Sequence, residues 1–341
     1  MKNKTVNARI KSIFRRYSPP LQTFGFTLPP LLFICLLLLS FTSCRQKDKV
    51  VQLQNNLFQV TTTIFPAYDF TRLIAKDKVH ITMLIPPGAE SHSFEPSPKD
   101  MIHLQKTDIF IYTGGESDTF VKDILSSTDT SKMRIISLME NVNVVEEELV
   151  EGMEDEAEAE ESETEIAYDE HVWTSPENAA LIVQTISKTL CDADPVNADF
   201  YITNTVAYLA ELQVIDAEYK EVVDNAKRKT IIFADRFPFR YLADAYGLKY
   251  FAAFPGCSTE TEPSAATVAF LVNKVRAEKI PVVFYLELSN QRMADTICEE
   301  TGAKKLMLHA AHNVTKKDFD GGITYLDIQK QNIKNLKEAL N

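Results

Sequence analysis

Short β-branched or aromatic runs alternate with helical segments in two separate series, and this alternation constrains the fold more than any other feature. The first series predicts strands at 58–63, 79–85, 108–112 and 134–137, with helices at 68–76 and 99–106. The second predicts strands at 230–234, 249–252, 282–287 and 305–309, with helices at 241–246, 263–278, 291–301 and 325–340. Such alternation indicates parallel sheets covered by helices. We therefore expect two α/β lobes.

A helical stretch separates the two series. Pro176-Glu177 predicts a helix that runs to about Cys191, and Pro195 opens a second that runs to about Arg228, because proline fits the first turn of a helix. A helix of ~30 residues is about 45 Å long, enough to cross a two-lobed molecule. The predicted organisation is an N-terminal lobe at 58–175, a helical segment with a long linking helix at 176–228 and a C-terminal lobe at 229–341.

The N-terminus has the pattern of an export signal. Residues 1–43 carry six Lys/Arg and no Asp/Glu, and the apolar run Leu31 to Leu39 is too short to span a ~30 Å hydrocarbon core. Small residues before Cys44 resemble the lipobox of bacterial lipoproteins. We expect a signal peptide at 1–43, an acylated Cys44 and a tether at 44–57 that anchors the protein outside the bacterial cell membrane. The alternative is an ordinary signal peptide cut nearby, which would release a soluble protein.

The net charge of −12 is concentrated in one internal segment. Residues 146–170 hold fourteen Asp/Glu and no Lys or Arg. No basic stripe that would bind nucleic acid follows the signal peptide. The segment is either a solvated, disordered loop or a metal-capture loop that concentrates cations near His171. The predicted capture residues are Glu154, Asp155, Glu156, Glu158, Glu160 and Glu161.

Motifs for catalysis are missing from the sequence. It contains no Gly-rich phosphate loop, no H-E-x-x-H pair and no G-x-S-x-G elbow. We therefore expect a protein that is not an enzyme. A zinc-dependent hydrolase with Glu90 or Glu95 as its base is one alternative, and a surface adhesion lipoprotein is the other.

Histidines follow several predicted strands. His92 lies in the proline-rich loop 86–98, His171 precedes a proline-started helix, and His309 ends the last predicted strand, three residues before His312. Ligands collect at the carboxyl ends of strands in α/β proteins, and imidazole is the commonest zinc ligand. After export three cysteines remain, Cys191, Cys257 and Cys298, so at most one disulfide can form within the chain.

Several motifs resemble the metal-specific solute-binding lipoproteins of bacterial ABC importers. They are P-P-G-A-E-S-H-S-F-E-P-S-P, E-H-V-W-T-S-P, F-x-Y-L-A-x-x-Y-G-L and T-E-P-S, and the similarity covers about residues 58 to 341. The resemblance implies two Rossmann-like α/β lobes joined by a long rigid linking helix, with one metal site in the cleft between them. It also implies a monomer that captures a metal ion and delivers it to an ABC permease and its ATPase.

The resemblance implies ligands as well. His92 and His171 match the first two ligands of the family, but Arg236 stands where a His or Glu is usual, and arginine cannot bind a metal. His309 takes the place of the last ligand. The expected metal site is therefore His92, His171, His309 and His312, with Cys257 or Asp235 as alternatives to His312. Cys257 is otherwise a small buried hydrophobe. Imidazole-rich coordination favours Zn²⁺ over Mn²⁺ or iron, and copper stays open.

Overall fold

The computed structural model describes residues 57–90, 94–115, 118–153, 167–258 and 262–341, and the stretch from Leu57 to Asn341 forms one unit. The predicted signal peptide, Cys44 and nearly all of the tether lie outside the described residues. So do His92 and the predicted capture residues 154–161.

The first lobe contains a four-stranded parallel sheet. Its strands are β1 (Phe58–Thr62), β2 (Val79–Met83), β3 (Ile109–Tyr112) and β4 (Arg134–Ser137), in the order β2-β1-β3-β4. Helices α1 (Phe65–Ala75), α2 (Pro98–Leu104) and α3 (Thr119–Ser127) connect them. The four predicted strands of this lobe are confirmed, whereas α3 was not predicted.

Two long helices follow this lobe. Helix α4 spans Pro176–Ala193 and α5 spans Ala198–Asp224, with a 3₁₀ turn at Pro195–Asn197 between them. Proline fills the first turn of α4 and begins the 3₁₀ turn, as its fixed φ favours. At 1.5 Å per residue, the 27 residues of α5 reach about 40 Å.

The second lobe contains another four-stranded parallel sheet. Its strands are β5 (Thr230–Phe233), β7 (Lys249–Phe251), β9 (Val282–Tyr285) and β10 (Lys304–Met307), and a short parallel pair joins β6 (Arg236–Phe237) to β8 (Phe254–Pro255). The helices are α6 (Arg240–Tyr246), α7 (Ala265–Glu278), α8 (Arg292–Thr301), α9 (Lys316–Asp320) and α10 (Tyr325–Leu340). The strand order is β10-β9-β5-β7.

Both sheets have the same order when their strands are counted along the chain. In each, the first strand pairs with the second on one side and with the third on the other. The order therefore reverses between β1 and β3 and again between β5 and β9. Ligand sites of open α/β sheets lie at the carboxyl ends of the strands at such a reversal.

Alternating side chains bury both faces of each sheet. On β5, Ile231 and Phe233 join a core cluster that extends through both lobes, while Ile232 packs on the opposite face of the sheet. On β3, Ile109 lies in the shared cluster and Phe110 packs on the opposite face. Strands buried on both faces explain why the sequence shows continuous apolar runs there.

Two strands of the second lobe end two residues earlier than the sequence predicts. Strand β9 ends at Tyr285 rather than Glu287, and the chain then turns through a positive φ of 61° at Leu288. Strand β10 ends at Met307, two residues before His309. Glu287 and His309 consequently lie in loops, where side chains do not have to point alternately to the two faces of a sheet. Among the described residues, no helix is both long and apolar enough to cross a membrane.

Asp118, at the start of α3, has an unusual carboxyl group. One oxygen, Oδ2, accepts the backbone N–H groups of Thr113 at 2.6 Å and Gly114 at 3.2 Å, and the hydroxyl of Thr63 at 3.5 Å. Burial raises the pKa of Asp118 to about 7, because these hydrogen bonds only partly offset the desolvation of the charged form.

The raised pKa makes the stability of the fold depend on pH. The folded state holds this proton up to about pH 7, whereas an unfolded aspartate loses it near pH 3.9, so the free energy of unfolding falls as the pH rises between these values. An asparagine at this position would keep an oxygen for all three bonds and carry no charge. We therefore compare the free energy of unfolding of Asp118→Asn with that of the wild type. We expect the difference, variant minus wild type, to rise with pH by up to about 1.4 kcal/mol per pH unit across this interval. Urea unfolding at about pH 4.5 to 7 measures it, and a constant difference would contradict this assignment.

Candidate metal-binding cleft

His171 is held in place by its own loop. The Asp169 carboxylate accepts the backbone N–H of His171 at 2.8 Å, and the same oxygen lies 3.2 Å from Nδ1 of the ring. A carboxylate on one ring nitrogen orients the imidazole, as in many metal sites. Burial lowers the pKa of His171, but the carboxylates of Asp169 and Glu170 together raise it by more, so the pKa lies above its ordinary value.

The turn after β10 carries the other two imidazoles. Asn332 of α10 binds both backbone groups of His309, accepting its N–H and donating to its carbonyl, each at 2.8 Å. Ala311 has a positive φ of 61°, which bends the chain back. The turn is thus fixed at its first residue by α10 and presents the His312 ring towards the first lobe.

Glu287, which follows β9, organises the inside of this turn. Its carboxylate accepts the backbone N–H groups of Ala310 at 2.8 Å and His312 at 3.3 Å, and it lies 3.3 Å from Nδ1 of His309. Burial alone would raise the pKa of Glu287, but the His309 ring and the backbone donors outweigh burial and hold the pKa below its ordinary value. Glu287 is therefore a buried anion that fixes the turn.

Trp173 joins the two histidine segments. Its indole N–H donates to the Ala310 carbonyl at 2.8 Å, and its own carbonyl accepts the Tyr325 hydroxyl at 2.6 Å. The His171 and His312 rings meet edge to face with centroids 5.3 Å apart. Both rings border a cavity of about 40 Å³, whose wall also includes Glu90, Arg236, Gly256 and Glu287. A cavity of this size holds an ion or about one water molecule.

Hydrogen bonds between the lobes border this cavity. The Asn313 side chain donates to the carbonyls of Pro86 and Ala89, both at 2.8 Å, and the Phe65 N–H donates to the His312 carbonyl at 3.3 Å. The proline-rich loop that carries the predicted ligand His92 is therefore tied, at its start, to the turn that carries His312.

Arg236 lines the small cavity as well. Its guanidinium donates to the Ser258 carbonyl at 3.2 Å and pairs with the Glu90 carboxylate at 3.2 Å. The neighbouring alternative ligand, Asp235, borders a larger pocket with Arg236 and not the small cavity. Burial raises the pKa of Asp235.

Cys257 lies behind the His171 loop. Gly256 allows this approach, because a Cβ there would stand 3.1 Å from Oδ2 of Asp169 and 3.3 Å from Nδ1 of His171. The Cys257 N–H donates to Glu147 at 2.8 Å, and burial together with the surrounding carboxylates raises the pKa of the thiol. A thiolate, the form that binds metals, is disfavoured in these surroundings. All three described cysteines are free.

The structure brings together only part of the predicted set. His171 and His312 share the cavity, His309 pairs with Glu287 instead, Cys257 and Asp235 do not line the cavity, and His92 lies outside the described residues. In the described part of the chain, no three His, Cys, Asp or Glu side chains are already grouped to hold a metal ion. Sequence reasoning missed Glu287, whose signal was an acidic residue at the end of an apolar run.

Two α/β lobes with imidazoles facing a cavity between them define a metal-binding solute-binding protein. The model of the family "ZnuA: Zinc-uptake complex component A periplasmic" matches residues 60–339. The chain is 34% identical to the high-affinity zinc uptake system protein ZnuA of Bacillus subtilis, covering 82% of this chain and 87% of that protein. The chain belongs to this family.

Streptococcal relatives support the same assignment. The chain is 32% identical to the zinc-binding lipoprotein AdcA of Streptococcus pneumoniae and spans 55% of its length. The Zn(II)-bound ZnuA-like domain of AdcA superposes with a TM-score of 0.69 at 30% identity, over 84% of this chain and 99% of that domain. The laminin-binding protein Lmb of Streptococcus agalactiae, described as a bifunctional adhesin and metal transporter, gives 0.70 at 26%, over 83% of this chain and 100% of Lmb. The two-lobe fold predicted from the sequence is confirmed.

The two hydrogen bonds between the Asn332 side chain and the His309 backbone can be tested by their effect on stability. Asn332→Ala leaves a buried N–H and a buried carbonyl without their partner, so we expect it to lower the free energy of unfolding by about 2–4 kcal/mol. The exposed Asn341→Ala, which removes one bond at the helix end, should change it by no more than about 0.5 kcal/mol. Urea unfolding compares the two, and equal effects would refute the structural role of Asn332.

Proposed function

We propose that this protein captures one extracytoplasmic Zn²⁺ ion in the cleft between its lobes and delivers it to an ABC permease driven by an ATPase. The cavity that the His171 and His312 rings share carries the proposal. Two imidazoles bound to one tetrahedral ion, at Zn–N distances of ~2.0–2.1 Å, have ring centroids roughly 5.2 Å apart. The observed separation of 5.3 Å fits this value.

We assign His171, His312 and His92 as the zinc ligands. His92 enters on the family resemblance, and the loop that bears it starts at the residues bound by Asn313. His309 is better placed to position Glu287, because its Nδ1 lies 3.3 Å from the carboxylate. An imidazole-rich set favours Zn²⁺ over Mn²⁺, which prefers carboxylate oxygen.

A carrier function accounts for the side chains at the cleft better than an enzyme function does. Glu90, one predicted base for a hydrolase, is paired with Arg236, and Glu95, the other, is exposed. The Zn(II)-bound AdcA relative and the zinc-uptake family likewise support a non-enzymatic carrier. We further propose that it acts as a monomer. Cys44 would be the lipid anchor, which the lipoprotein relative AdcA supports.

Alanine variants test the ligand assignment. We expect His171→Ala and His312→Ala each to weaken zinc binding at least about 100-fold, and His309→Ala about tenfold, since an orienting residue contributes less than a ligand. His103→Ala serves as the control, because His103 contacts Thr61 and does not line the cavity. Competition with a fluorescent zinc chelator measures the affinities. A larger loss in His309→Ala than in His312→Ala would reverse their roles.

Trp173 offers a second measurement in the same experiment. It is the single tryptophan of the chain, and its ring centroid lies 5.0 Å from that of His312. We expect its emission to change on zinc binding to the wild-type protein.

The acidic segment is proposed to speed capture of the ion. Deleting residues 154–166 removes the predicted capture residues but keeps Glu147 and Glu148, which bond to the second lobe. We expect the zinc association rate to fall several-fold at low salt and the difference to shrink at high salt, as electrostatic steering requires. Stopped-flow measurement of Trp173 emission tests this, and unchanged rates at low salt would remove the capture role.

A further inference from the structure

Two segments run antiparallel just before His171. Residues 145–147 pair with residues 167–169, and two backbone hydrogen bonds of 3.0 Å join them. We call residues 145–153 together with 167–169 the clasp. Its last residue, Asp169, accepts the backbone N–H of His171 and lies against the imidazole ring. The position of the clasp therefore fixes the position of this imidazole.

One hydroxyl of the second lobe binds both segments of the clasp. Tyr241 of α6 is buried, and its hydroxyl donates to the Asp169 carbonyl at 2.7 Å and accepts the Val145 N–H at 3.3 Å. Loss of a buried partner leaves polar groups without a hydrogen bond, so this contact holds the clasp on α6. By its place in the chain the clasp follows the first sheet, but its anchor lies in the second lobe.

Three carboxylates of the clasp also bind the second lobe. Their partners are the Cys257 N–H at 2.8 Å for Glu147, the Tyr250 hydroxyl at 3.0 Å for Glu148 and the Lys274 ammonium at 3.3 Å for Glu151. The Glu151 side chain is exposed, so its ion pair is screened by solvent and contributes little. Glu147 is half-buried, and its bond to the backbone is the stronger attachment.

Gly152 brings the end of the clasp onto α7. Its φ is +93°, and a Cβ at this position would stand 2.0 Å from the Phe270 ring. Glycine tolerates this φ and lets the backbone approach the ring so closely. The clasp is therefore in direct contact with the second lobe at this point as well.

The loop 86–90 borders the cavity from the first lobe and has its own contacts to the second. The Asn313 side chain donates to two of its backbone carbonyls, each at 2.8 Å, and Arg236 pairs with Glu90. These two residues of the second lobe differ from those that bind the clasp. The loop and the clasp are thus attached by separate sets of contacts.

The clasp meets the first lobe just beyond its end. Glu170 follows Asp169, and its carboxylate stands 2.7 Å from the place that a Cβ on Gly115 would take. Gly115 leaves room for this side chain. The border between the two lobes therefore passes beside Glu170 and His171.

We propose that the clasp fastens His171 to the second lobe, so that the His171 and His312 rings stay together when the contact with the first-lobe loop 86–90 opens. Trp173 supports this, because its two hydrogen bonds at the cavity both end on the second lobe. The purpose of such a device rests on the carrier function given above, since a carrier must open to release its ion.

Amide hydrogen exchange of the zinc-free protein, resolved by residue, tests this proposal. Tyr241→Phe removes only the hydroxyl, and a two-stranded pair without support is marginal in water. We expect the amides of Asp169 and Cys257 to exchange about tenfold faster than in the wild type and the amide of Ala89 to stay within about twofold. Asn313→Ala should do the reverse, because it releases the loop and leaves the clasp attached.

A pair of glycine variants tests the other end of the clasp. Gly152→Ala adds a strained φ and a collision with Phe270, whereas Gly302→Ala, at the end of α8, adds a strained φ where a Cβ meets no atom of the described residues within 4 Å. We expect Gly152→Ala to accelerate exchange of the Cys257 amide several-fold and Gly302→Ala to leave it unchanged. Thermal melts show whether each variant is folded.

The outcomes decide the proposal clearly. Equal acceleration of the loop and the clasp in Tyr241→Phe or in Asn313→Ala overturns it, because both would then open as one unit. An unchanged Asp169 or Cys257 amide in Tyr241→Phe also overturns it, and so do equal effects of the two glycine variants. Since the experiment uses no zinc, these outcomes leave the carrier function in place, and a failure to bind zinc would leave the clasp in place.

Discussion

The hydrogen bond from the Trp173 indole to the Ala310 carbonyl is the contact on which the cleft depends. It joins the segment that carries His171 to the turn that carries His312. Both partners are buried, so loss of the bond would leave a polar group without solvent and cost about 1–3 kcal/mol. The Tyr325 hydroxyl then fixes Trp173 from the start of α10. The ring geometry at the cavity follows from this chain of bonds.

Much of the fold could be predicted because the core strands leave a direct mark on the sequence. Strands such as β5 are buried on both faces and therefore read as unbroken apolar runs. Helix α9 and the β6–β8 pair were missed because they are short. Helix α3 was missed although it is longer than the predicted helices α2 and α6. Strand order could not be predicted, since it depends on packing between segments far apart in the chain.

That missing strand order explains the errors at the site. Residues after strands were taken as candidates, but without the order the last strand, β10, was favoured over β9. The reversal lies between β5 and β9, so Arg236 and Glu287 face the cleft. Glu287 was assigned to a strand that ends two residues before it. The hydrogen bond between Glu287 and Ala310 joins residues that are 23 positions apart in the chain. No local sequence pattern predicts such a contact.

The shared strand order of the two lobes also determines which loops can line the cleft. Each sheet ends in several loops along one edge, and the cleft takes donors from that edge whichever loop supplies them. Here the loop after β5 brings a guanidinium, while the turn after β10 brings the imidazole of His312. The side chains that line the cleft are thus set by whichever loops reach this edge of the two sheets.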